Sequence, residues 1–155
     1  MRLVLLSLAA AGATLAATPA LANEARVEAR GGVIWNGSDS EAIAGVAAGY
    51  DADVGQKTFV GVEVSADKIL TDHTRFAFGA SARAGVKTGE SGKLYAVGGY
   101  ATKPFKYGEE SFNLGAGYQH NFGKNFYGKV EYRHNFVGNG WTDTDVAVAG
   151  LGVRF

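Results

Sequence analysis

Val146-Ala147-Val148-Ala149-Gly150-Leu151-Gly152-Val153-Arg154-Phe155, the last stretch of the chain, decides how the rest is read. Chain ends usually fray into polar tails. Here alternation runs to a terminal aromatic. Ala147, Ala149, Leu151, Val153 and Phe155 share one face, while the other carries glycines and Arg154. A period of two with different residues on the two faces is a β-strand between two environments.

Working outward, the same period recurs upstream. Segment one sets Ala25, Val27, Ala29, Gly31, Val33 and Trp35 against Arg26, Glu28, Arg30, Gly32 and Ile34. Segment two, about 41–51, alternates weakly, with Ala42, Ala44, Val46, Ala48 and Tyr50 opposite Ile43, Gly45, Ala47 and Gly49. Asp51-Ala52-Asp53 follows and reads as turn capping, since it lacks a full cation-ligand set. Segment three puts Val60, Val62, Val64 and Ala66 opposite Phe59, Gly61, Glu63, Ser65 and Asp67. Segment four sets Phe76, Phe78, Ala80, Ala82, Ala84 and Val86 against Arg75, Ala77, Gly79, Ser81, Arg83, Gly85 and Lys87. Segment five, about 93–102, is ambiguous, with Leu94, Ala96 and Tyr100 preferred outward. Segment six places Phe112, Leu114, Ala116, Tyr118 and Phe122 opposite Asn113, Gly115, Gly117, Gln119 and Asn121; segment seven places Val130, Tyr132 and Phe136 opposite Lys129, Glu131, Arg133 and Asn135. With the terminal strand this makes eight, joined by hairpin-length connections that include a polar loop at 103–110 with Pro104. An antiparallel meander is the economical topology.

The first residues differ in kind. Met1-Arg2 is a short positive region, Leu3 to about Leu15 is apolar but too short for a bilayer, and Ala20-Leu21-Ala22 is a small-x-small site. Residues 1–22 are therefore expected to be a signal peptide cut between Ala22 and Asn23, with 23–155 a single domain. The chain holds 15 basic and 15 acidic residues, which argues against a nucleic-acid partner. With no cysteine, disulfides, thiolate metal sites and thiol nucleophiles are excluded.

Alternation permits a soluble barrel with apolar faces inward or a membrane barrel with them outward. Three features favour the membrane. The polar face carries Gly45, Gly49, Gly61, Gly79, Gly115, Gly117, Gly150 and Gly152, which would make room for long side chains in a narrow interior. Aromatics gather near strand ends: Trp35, Phe76, Phe112, Phe136 and Trp141 toward one rim, and Tyr50, Tyr118, Phe122, Tyr127 and Phe155 toward the other, as two membrane–water interfaces select. The leader exports the chain. The fold expected is all-β: a closed eight-stranded antiparallel up-and-down transmembrane β-barrel of a bacterial outer membrane. Both termini are then periplasmic, and the outward loops fall at about 36–41, 67–74, 103–110 and 137–143.

Several stretches carry a family resemblance: the terminal Gly150-x-x-Val153-x-Phe155, the run Asn125-Phe126-Tyr127-Gly128-Lys129-Val130-Glu131-Tyr132-Arg133, Gly115-Ala116-Gly117-Tyr118 and the turn 122–125. Over nearly all of 23–155 the chain resembles the OmpA-like, opacity-type eight-stranded outer-membrane proteins. The resemblance implies that Gly150, Val153 and Phe155 form a signal read by the barrel-assembly machinery, although Val148 stands where a polar residue is commoner. With Phe155 as the last residue of the sequence, the peptidoglycan-binding domain of the larger OmpA-type proteins is not expected.

Facing inward, Arg26, Glu28, Arg30, Glu63, Arg83, Lys129, Glu131 and Arg133 would form a lumen charge network. Glu28, Glu63 and Glu131 are expected to meet Arg30, Arg83 and Arg133, either as an ion-conducting gate or, preferred, as a plug that fixes register. An enzyme is not expected. His73, His120 and His134 are dispersed, neither His120 nor His134 has the neighbouring serine of a His-x-Ser lipid A deacylase, and acyl transfer needs a nucleophile beside its base. No metal or cofactor is expected. The leading function is a structural or surface-interaction barrel (adhesion, envelope integrity). Its partners would be outer-membrane lipids, lipopolysaccharide and an unidentified host or cell-surface ligand. The alternatives are a narrow channel and, behind it, a lipid A-modifying enzyme.

Overall fold

The computed structural model describes residues 23–37, 39–103, 110–138 and 140–155. Eight strands follow in order: β1 (Asn23–Asn36), β2 (Asp39–Asp53), β3 (Thr58–Ile69), β4 (Phe76–Thr88), β5 (Gly92–Ala101), β6 (Ser111–Phe122), β7 (Phe126–Val137) and β8 (Thr144–Arg154). Each pairs antiparallel with its neighbours, and β8 pairs with β1 to close the barrel. Ala25 and Phe155 exchange backbone hydrogen bonds at the seam, Phe155 N donating to Ala25 O at 2.9 Å. Closure leaves no strand edge without a partner, the condition for β structure in lipid. The rim that carries the termini and the turns at 54–57, 89–91 and 123–125 is the terminal rim; the opposite one is the loop rim.

The apolar faces point outward. Leu151 is 72% exposed, Phe155 74% and Phe126 63%, and Val46, Val62, Val64, Leu114 and Val130 are exposed between them. Water would penalise such a belt and a bilayer would accept it, so the soluble arrangement is excluded. Phe76, Phe112, Phe136 and Trp141 are exposed at the loop rim, with Tyr118, Phe122 and Phe126 toward the terminal rim.

The strands run further than their sequence pattern suggests. The first connection, expected over 36–41, is shorter, since β1 runs to Asn36 and β2 begins at Asp39; Gly37 has φ +53°, the left-handed start that tight hairpins select. β2 continues to Asp53, and β3 to Ile69. Asp51 and Asp53 are therefore not turn caps. They continue the inward parity of Ala47 and Gly49 and are buried. β5 faces as preferred, with Leu94 and Tyr100 out and Lys93, Tyr95 and Val97 buried inside. Tyr127 does not join an aromatic girdle: it is 1% exposed and lies inside. The leader at 1–22, including Ala22 of the cleavage site, lies outside the described residues, as does Pro104.

Candidate functional site: the ion-paired lumen

An eight-stranded barrel has an interior only wide enough for side chains, so every inward charge must find a partner across a few ångströms. Glycine parity makes the space. A Cβ on Gly117 would fall 2.5 Å from the Tyr95 ring, and one on Gly152 would fall 2.6 Å from the Tyr127 ring. Small β6 and β8 residues thus let two tyrosines from β5 and β7 lie across the interior.

Glu63 on β3 is the hub. It accepts from Arg26 at 2.6 Å, from Arg30 and Arg133 at 3.1 Å each, and from Lys129 at 3.2 Å. Glu28 takes Lys129 at 2.7 Å and the Tyr127 hydroxyl at 2.8 Å. Glu131 takes Arg133 Nε at 2.7 Å and the Tyr95 hydroxyl at 2.8 Å. The side chains of Arg26, Glu28 and Lys129 are wholly shielded from solvent. Of the eight sequence-expected network residues, seven meet around these three carboxylates.

Arg83 is the exception. It was expected to meet a glutamate; instead it forms a bidentate pair with Asp51 and donates to Gln119 Oε1 at 3.0 Å. Its guanidinium lies over the Tyr95 ring at 4.7 Å and the Phe59 ring at 5.4 Å, where a weakly hydrated planar cation is favoured. Lys93 joins Asp51 at 2.9 Å and Glu24 at 2.8 Å. Arg154 closes this end on Glu24 at 2.7 Å, and Lys87 pairs with Asp53. Toward the loop rim Arg30 forks onto Asp67, Nε at 2.8 Å and Nη2 at 2.5 Å.

Charge bookkeeping could have found the missing members. The eight expected residues are five cations and three carboxylates, an excess that no narrow interior tolerates. Asp51 and Asp67 supply the balance. Parity puts Asp67 inward directly, and Asp51 as well once β2 runs through it.

Above the ion pairs the lumen changes character. Ile43, Ile69 and Val148 form a buried apolar cluster, flanked by Ile34 and Val146. Val148 finds its reason here: it packs with Ile43 and Ile69 from β2 and β3.

The histidines lie elsewhere. His120 packs edge-on to Phe122 at 5.2 Å, and His134 edge-on to Phe136 at 4.6 Å. His134 has carboxylate partners that sequence reasoning did not anticipate, with Nδ1 2.8 Å from Asp145, which also accepts the Tyr132 hydroxyl at 2.6 Å. Among the described residues no serine or threonine hydroxyl hydrogen-bonds a histidine, and no group of three or more His, Asp or Glu is placed to hold a metal.

The model of the outer membrane protein beta-barrel domain family matches residues 6–155. Among solved structures, the N-terminal β-barrel domain of Pseudomonas aeruginosa OprF is similar with a TM-score of 0.56 at 17% identity, covering 88% of this chain and 100% of that one. Neisserial surface protein A gives 0.57 at 16% identity, covering 86% and 97%. Ail, the attachment invasion locus protein of Yersinia pestis, gives 0.53 at 19% identity, also covering 86% and 97%. At these identities the likeness to solved structures is one of fold. No curated protein sequence matches the chain.

Proposed function

The chain belongs to the outer membrane protein β-barrel domain family, and from that premise we propose that it is a structural and surface-interaction barrel whose lumen is plugged rather than conducting. The observation that carries this is the Glu63 hub, where four cations from β1 and β7 converge on one carboxylate and close the interior at mid-depth. Replacing so many mutual ion pairs with hydrated ions would require desolvated charges to part. The outer membrane is the location, and the apolar belt is the surface that meets its lipids.

In this reading the termini lie in the periplasm, and the loop rim faces outward toward lipopolysaccharide and an external ligand. Fold neighbours whose names denote a surface protein and an attachment protein give that assignment its direction; one of them, Ail, was solved with the heparin analogue sucrose octasulfate. Residues 1–22 are the exported leader, cut before Asn23, where β1 begins. The assembly machinery reads β8 through Gly150, Val153 and Phe155, the last 74% exposed on the outer face. In this reading no catalysis is assigned to the barrel: His134 pairs with Asp145 and Asp143, and among the described residues no serine or threonine hydroxyl hydrogen-bonds it.

The test is to exchange the loops at 70–75 and 138–143 for short neutral turns and measure cell adhesion and envelope leakage. Reduced adhesion or raised leakage is expected; both unchanged would reject the surface role. Planar-bilayer recording is expected to show no steps above baseline, whereas steady conductance would replace the plug with a channel. Lipid A of unchanged mass on expression is expected, and a shifted mass would restore the enzyme reading.

A further inference from the structure

Above the ion pairs, between Arg30 and Arg133 below and Trp141 above, lies a chamber of about 490 Å³ inside the loop rim. That is within the range of small-molecule sites. Its walls are unequal. On the side of β2, β3 and β8 stand Ile43, Ile69 and Val148, an apolar patch inside the barrel. On the side of β4 and β5 the inward residues shrink to Ala77, Gly79 and Ala101, so among the described residues no large inward side chain of these two strands fills the space. Ser111 and Asn135 on β6 and β7 add uncharged hydrogen-bonding groups.

A vestibule meant only for water would be lined by polar residues, because wet isoleucine is unfavourable. The floor is equally specific. Arg30 is already engaged by Asp67 and Glu63, and Arg133 by Glu131, Glu63 and Asn113. Charges there are matched within the protein, and an ionised ligand would have to displace a buried partner.

We propose that this chamber is a binding site for a small uncharged molecule with an apolar body and a hydrogen-bonding end. The apolar body lies against Ile43, Ile69 and Val148, and the polar end reaches Ser111 or Asn135. The site adds ligand capture at the loop rim and is independent of whether the barrel also serves adhesion.

The test uses the full barrel in lipid nanodiscs, with naphthol as the probe and naphthoate as its charged counterpart. Methyl NMR follows Ile43 and Ile69 in the chamber, and Leu114 and Leu151 on the lipid face as reporters of partitioning. Naphthol is expected to shift the two isoleucine methyls saturably, and naphthoate to bind about tenfold or more weakly, since its charge finds no free counter-ion. Ala77→Trp, which fills the chamber, is expected to abolish the shifts. Ala101→Phe serves as the second filling variant, and heat-dependent gel migration shows that each has folded. Shifts confined to the leucine methyls, no saturable shift up to the solubility of naphthol, or saturable isoleucine shifts that persist in a folded filling variant would overturn the site.

Discussion

The middle of the lumen and its loop-rim end obey one alternation rule and reach opposite solutions. At mid-depth the inward residues are long and charged, and glycines opposite them make the space that tyrosines and guanidinium groups occupy. At the loop rim the described inward residues are branched and apolar on the side of β2, β3 and β8, and small on the side of β4 and β5. The middle is held by interlocked ion pairs in which each carboxylate serves several cations. The rim is held by contact among three aliphatic side chains beside an open chamber. Inward parity therefore sets what a residue faces, while depth along the barrel sets the chemistry required of it. The two regions should respond differently to substitution.

Glu63→Ala should be the most damaging change, because it strands parts of four cations at once. Removing one partner of a buried pair costs about 3–5 kcal/mol, and this hub lies at the top of that range or above. The measurement is the midpoint of heat-dependent gel migration, or of urea unfolding in lipid vesicles. A midpoint equal to wild type would show that the guanidinium groups find other partners, and would dissolve the contrast between the regions. Asp51→Asn follows, with a loss of about 3 kcal/mol. It leaves Arg83 with Gln119 and two aromatic rings, and Lys93 with Glu24 and the Phe59 ring.

These two positions show how far the sequence was legible. Glu63 sits in the middle of a clean alternating segment, where parity is unambiguous. Asp51 sits where a strand meets a turn, and aspartate is as much at home in a turn as in a charged lumen. Composition cannot separate the two, because the strand continues past the point where its apolar face ends. Tyr127 failed for a related reason. Its position just after a turn suggested an interfacial aromatic, yet counting back by twos from Val130 reaches Phe126, so parity had already assigned Phe126 to lipid and Tyr127 to the interior. The partner of Arg83 was not legible at all. Which charges meet across a closed barrel depends on strand tilt and stagger, which a one-dimensional pattern does not carry.

Gly117→Ala probes the space rather than the charge. Its Cβ would press on the Tyr95 ring at 2.5 Å, and Tyr95 is tied to Glu131, so the ring can yield only by breaking that bond. Overpacking of this kind costs about 1–3 kcal/mol. Pairing Gly117→Ala with Tyr95→Phe should recover part of the loss in unfolding titrations, since the phenylalanine ring is free to shift. No recovery would mean that the clash lies with the backbone.

At the rim the losses should be smaller. Ile69→Ala removes a side chain that is 9% exposed but borders a chamber already open, so little new cavity is created and the cost falls at the low end of the range for aliphatic truncation, about 2 kcal/mol. Val148→Thr is the mildest and the sharpest probe of the boundary. The two side chains have nearly the same volume, so packing on Ile43 and Ile69 survives. The change is a hydroxyl placed beside an apolar patch, with Glu131 in register on β7 as an acceptor within the same tier. A buried hydroxyl without a partner costs about 1–3 kcal/mol, and one that finds an acceptor is close to neutral. A loss of about 1 kcal/mol or less in the unfolding midpoint therefore fits a border where the aliphatic layer and the ion pairs meet at Val148 and Glu131. A loss rivalling Glu63→Ala would mean instead that the aliphatic layer, not the carboxylate hub, carries the lumen, and the contrast would have to be drawn the other way round.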